Sequence, residues 1–174
     1  MLKSFIVLLI SALLVAAAGC KATLPTGDTS TLAGTLQLIQ DILNRSGKTE
    51  FTVHQNGRTA DLVFEDTRAK GDVAKCGVGY HARSTLNDMV LFDKDSKVVF
   101  RQTESLTVLT ADEYFKQTAG MTDPKAAPPV YFLEVNDVGK QAHQGEIFVF
   151  SDKAWAEALK NAMSKAMTFC AVKR

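Results

Sequence analysis

The chain has 174 residues, 46% of them hydrophobic and 22% charged, which is typical of a globular protein with enough length for a sizeable core. With 20 basic and 19 acidic side chains the net charge is +1, so there is no basic excess for electrostatic capture of DNA or RNA. Beyond the first twenty residues, no stretch approaches the roughly 20 apolar residues that a transmembrane helix needs.

The amino-terminal stretch carries the most specific pattern. Lys3 supplies a positive start, Phe5 to Val15 is apolar apart from Ser11, and small residues lead straight into Cys20. This order reads as a secretory signal peptide, and its apolar run is too short for a good membrane span. Ala17-Ala18-Gly19-Cys20 resembles the lipobox of bacterial lipoproteins, with Ala17 where that family usually has leucine. The resemblance implies cleavage before Cys20 and acylation of Cys20, hence a membrane-lipid partner. Lys21 after the cysteine, rather than the aspartate of inner-membrane lipoproteins of the enteric type, implies an outer-membrane anchor facing the periplasm. The expected organisation is a signal peptide over residues 1–19, a lipidated tether over 20–30 and a single α+β periplasmic domain over 31–174. Removing residues 1–19, and Lys3 with them, leaves 155 residues with 19 basic and 19 acidic side chains.

Lys21 to Ser30 contains Pro25 and Gly27 and lacks an apolar period, so it reads as tether. Leu32, Leu36, Ile39 and Leu43 recur at helical spacing and predict a helix over 31–46, capped by Ser30 or Thr31 and closed by Gly47. Thr49 to His54 and Ala60 to Glu65 flank Asn56-Gly57, a strong hairpin signal. Arg68 to Asp72 reads as a charged loop and Val73 to Tyr80 as a strand. Leu86 to Phe92 and Lys97 to Gln102 read as a second hairpin around Asp93-Lys94-Asp95-Ser96, followed by a strand over Ser105 to Leu109.

Thr110 to Glu113 forms a capping box that predicts a short helix over 111–118. Pro124, Pro128 and Pro129 predict an irregular loop over 120–129. Two strands follow, Val130 to Val135 and Glu146 to Phe150, separated by a polar loop. Trp155, Leu159, Ala162, Ala166 and Phe169 then mark an amphipathic helix over 153–170, capped by Ser151 or Asp152. About seven to eight short strands between an N-terminal and a C-terminal helix predict an α+β fold, mainly an antiparallel sheet or a small barrel. The last strand running into the Trp-bearing helix, Gly145 through Phe169, resembles the end of a pleckstrin-homology-like domain.

If Cys20 takes lipid, Cys76 and Cys170 remain, and an oxidising compartment favours a disulfide between them. The alternative leaves either thiol buried or reactive. Cys76 and His81 are then the one nucleophile–base pair to consider, and they imply an envelope hydrolase. Against that reading, five-residue spacing along a strand turns two side chains to opposite faces. His54, His81 and His143 form no metal-ligand motif, so no metal or other cofactor is expected. Asp93 and Asp95 share only the alternation of a calcium loop, which a solvated turn explains. The expected function is therefore non-enzymatic. The protein should be a membrane-anchored protein-binding or scaffold module with an envelope partner, or an inhibitor or immunity protein that neutralises a toxin.

Overall fold

A computed structural model describes residues 23–140, 143 and 145–171; Cys20, the proposed cleavage site and Lys21 lie outside them. Residues 23–31 carry no regular structure, but they lie against the domain. Leu24 packs on the larger core, and a side chain at Gly27 would meet Leu38 Cβ at 3.2 Å.

Helix α1 (Leu32–Ser46) starts at Thr31, whose hydroxyl accepts from the Gly34 N–H, and stops at Gly47 with φ 67°. It buries Leu36, Ile39, Ile42 and Leu43, while Leu32 is only partly covered. Strands β1 (Lys48–Gln55) and β2 (Arg58–Asp72) follow, joined at Asn56 and Gly57, both with positive φ. Strand β2 continues through the stretch expected to be a charged loop. A bulge between Thr67 and Lys70, with Arg68 at φ 54°, keeps Ala69 buried while Arg68 and Lys70 stay in water.

The second hairpin differs from the sequence reading. Val73 to Cys76 is a turn, β3 runs Gly77–Leu86, and β4 runs Met89–Val99. The reversal falls at Asn87 and Asp88, with φ 47° and 65°. Asn87 fixes it to β2: its side-chain oxygen accepts the Asp61 N–H at 2.8 Å, and its own N–H donates to the Asp61 carbonyl at 2.8 Å. Asp93 to Ser96 is therefore strand interior. Its alternate carboxylates point to the solvent face of the sheet, where His81 and Arg83 of β3 meet them, so a polar run suits a strand here.

Strand β5 (Thr103–Thr110) leads into α2 (Ala111–Thr118) through the expected capping box of Thr110 and Glu113. The proline-rich stretch is less irregular than expected: β6 (Lys125–Ala127) pairs with β1 as an edge strand before Pro128 and Pro129. Strands β7 (Tyr131–Asp137) and β8 (Glu146–Phe150) precede α3 (Lys153–Cys170), which is capped by Asp152.

The fold is α+β, and among the described residues it has two antiparallel sheets and no closed barrel. One sheet has the order β4-β3-β2-β1-β6, the other β5-β7-β8. Successive β7 residues face opposite ways, so the smaller sheet divides the interior. On one side Leu133 and Phe148 join Leu36 and Ile39 of α1 and Leu159 and Met163 of α3. Trp155 belongs to this larger core at 8% exposure. Phe169, expected on the buried stripe, is 38% exposed and packs under Lys165; Met163 and Cys170 fill the buried face instead. On the other side Phe132 meets Phe51, Phe64 and Tyr114 in an aromatic cluster with ring centroids 4.2–6.0 Å from it.

Beyond Glu65, β2 outruns its partner β1, so one edge of it is free of strand pairing. Helix α1 closes that edge with side chains. Asn44 donates to the Ala69 carbonyl at 3.1 Å and accepts the Ala69 N–H at 2.8 Å, and Gln40 accepts from Gly71 at 3.3 Å. A Cβ at Gly71 would lie 2.8 Å from Leu36 Cβ, so glycine lets the helix approach. Asn44→Ala would strand two partly buried backbone groups and should cost on the order of 2 kcal/mol. Urea denaturation checks this, and an unchanged midpoint would contradict the clamp.

Candidate functional site

The cysteine pair forms one local feature. Cys76 ends the turn before β3 with φ 54°, and Cys170 ends α3. Their Cα atoms are 5.9 Å apart, their sulfurs lie at disulfide-bonding distance, and both residues are buried at 2% and 3% exposure. His81 is not beside them. It sits on the outer face of β3, where Nε2 is 2.8 Å from Asp93 and Nδ1 is 2.9 Å from Asp95. The structure therefore does not bring Cys76 and His81 together, and each faces a partner elsewhere.

The outer face of the larger sheet carries a ladder of opposite charges. Glu65, Arg83 and Asp93 stand in register across β2, β3 and β4, as do Thr67, His81 and Asp95. Arg68 reaches Asp95 at 3.5 Å and Arg83 reaches Asp93 at 3.8 Å. The hydrogen bond from His81 holds Asp95 below the ordinary carboxylate range, and the Arg68 and His81 charges add to it. A ring nitrogen faces each of these aspartates, so both are engaged by a side-chain cation-former rather than left open as a calcium loop would leave them.

The opposite face of the same strands holds an acidic cluster that sequence reading missed. Asp66 continues the inward register of Leu62 and Phe64 on β2. Tyr80 on β3 is 4% exposed and donates to Glu146 Oε2 of β8 at 2.7 Å. Burial, then the charges of Glu146 and Glu65, pushes Asp66 up to about 7. Burial likewise drives the Tyr80 hydroxyl well above the phenol range, with Glu146 adding to it. The detectable signal was an acid in an apolar register, Leu62-x-Phe64-x-Asp66, and again Glu146-x-Phe148-x-Phe150. A third acid, Glu134, is 3% exposed and meets His143 Nδ1 at 2.7 Å. Burial and the Glu134 charge raise the Tyr114 hydroxyl. His54 is exposed on β1, and among the described residues no group of three His, Cys, Asp or Glu is placed to hold a metal.

The remaining feature is the free edge of β4. Among the described residues no strand pairs with that side. Met89, Val90 and Leu91, at its hairpin end, are 64%, 54% and 53% exposed. Leu91 is the extra residue of a bulge where β3 and β4 change register. No protein-family model matches this chain, no curated protein matches it, and no solved structure does.

Proposed function

We propose that the chain is a lipid-anchored envelope protein that serves as a protein-binding or scaffold module, with β4 as its contact element. The observation that carries this reading is Met89-Val90-Leu91, three consecutive exposed apolar side chains on a sheet edge that is unpaired among the described residues. Apolar side chains beside free backbone donors and acceptors are what an added strand uses. The anchor rests on the lipobox-like sequence ending in Cys20, with acyl chains on the periplasmic side of the outer membrane as the lipid contact. More than one chain is needed for stable attachment.

Two measurements test it. Cys20→Ser should leave the chain uncleaved or soluble, and mature-sized protein retained in membranes would contradict the anchor. A photoreactive residue at Val90, in native envelopes, should give a protein adduct that the same residue at Lys160 on α3 does not. Equal labelling from both positions, or none from Val90, would contradict β4 as the contact element.

A further inference from the structure

We propose that the β4 edge pairs with β4 of a second copy of this chain, antiparallel about a two-fold axis at Asp95. The inference rests on the reading of β4 as the contact element and names what it contacts.

Two observations converge. The edge is long, Met89–Val99, and unpaired among the described residues. Its sequence, Phe92-Asp93-Lys94-Asp95-Ser96-Lys97-Val98, has a charge pattern that complements itself when reversed. In an antiparallel pair related by a two-fold axis perpendicular to the sheet, residues opposite each other share a face. Placing the axis at Asp95 sets Asp93 opposite Lys97 of the second copy, and Lys97 opposite its Asp93. Phe92 then faces Val98 of the second copy on the inner side, and Lys94 faces Ser96. Shifting the axis to Lys94 would oppose Asp93 with Asp95 twice, so the charges select against that register.

The one like-charge contact is Asp95 against its own copy. Each of these carboxylates already has His81 at 2.9 Å and Arg68 at 3.5 Å, which reduce the repulsion at the axis without cancelling it. Charges on an edge strand ordinarily discourage pairing. Here the same charges leave one register in which the two Asp–Lys pairs are both attractive. A shared membrane surface would also raise the local concentration of copies.

The tests use the full-length chain in detergent, followed by sedimentation velocity. The native chain should associate reversibly as a dimer. Lys97→Glu turns both attractive pairs repulsive and should weaken the dimer about tenfold, whereas Asp95→Asn removes the central repulsion and should tighten it about threefold. Both positions are exposed, so neither change threatens the fold. Asp95→Cys should form a disulfide-linked dimer on mild oxidation, while Lys160→Cys should not. A monomeric chain at all concentrations, or an Asp95→Asn variant no tighter than native, would overturn the pairing. A monomer that still gives a Val90 adduct to a different protein would overturn self-pairing and leave β4 as the contact element.

Discussion

Replacing Cys76 and Cys170 together with alanine is expected to destabilise the domain by about 2–5 kcal/mol. The two residues are 94 apart in sequence, so a bond between them closes a loop that spans β3 through α3. In the chain-entropy account such a loop restricts the unfolded chain by about 4–5 kcal/mol. The sulfurs are buried among the residues of the larger core, so in the native state the substitution also removes packing atoms. The check is a pair of guanidinium denaturation curves, native against double variant, under non-reducing conditions. Non-reducing peptide mapping should recover the two cysteines in one linked peptide. Equal midpoints, together with separately alkylatable cysteines, would contradict the bond and return Cys76 to consideration as a nucleophile.

Asp66→Asn is expected to stabilise the protein at pH 8 and to leave it nearly unchanged at pH 4. In the unfolded chain this carboxyl titrates near 3.8, and in the folded protein it is raised to about 7. Between those values the folded state keeps a proton that the unfolded chain has released. Stability contributed by this group is therefore full below about pH 4, falls as pH rises, and levels off above about 7. A shift of that size corresponds to a cost on the order of 4 kcal/mol when the carboxyl is ionised. Asparagine is neutral and nearly isosteric, so the native-minus-variant difference isolates this titration from the others. Thermal or urea denaturation of both proteins from pH 4 to 8 measures it. A difference that stays flat across that range would show that Asp66 is not held protonated by its surroundings.

Both cases bear on what could be read from the chain itself. Local signals translated directly. The Thr110–Glu113 capping box, the Asn56-Gly57 turn and the α3 stripe from Trp155 to Ala166, though not its last member Phe169, each depend on contacts within a few residues, and each has the expected conformation. The Asn87-Asp88 turn was missed because Asp93 to Ser96 offered a denser polar cluster, and the partners of that cluster, His81 and Arg83 on β3 and Arg68 on β2, are distant in sequence. Strand β6 was hidden by its prolines, since its reason to be extended is a ladder with β1 some seventy residues earlier. The acidic cluster was harder still: Asp66, Tyr80 and Glu146 come from three strands in two sheets, and only the fold places them side by side. The split into two sheets, rather than one sheet or a barrel, likewise depends on which distant edges pair.

The division of the interior by the smaller sheet also bears on motion. The Cys76–Cys170 contact lies wholly on the side of α1 and α3, whereas the aromatic cluster around Phe132 is closed by the short helix α2 and the three-residue strand β6. The aromatic end can open without straining the cysteine pair, so its amides should exchange with solvent through partial excursions. Amides of β3 and α3 should wait for the whole molecule to unfold. One half is thus expected to exchange slowly and the other fast, and the wall between them is the three-stranded sheet.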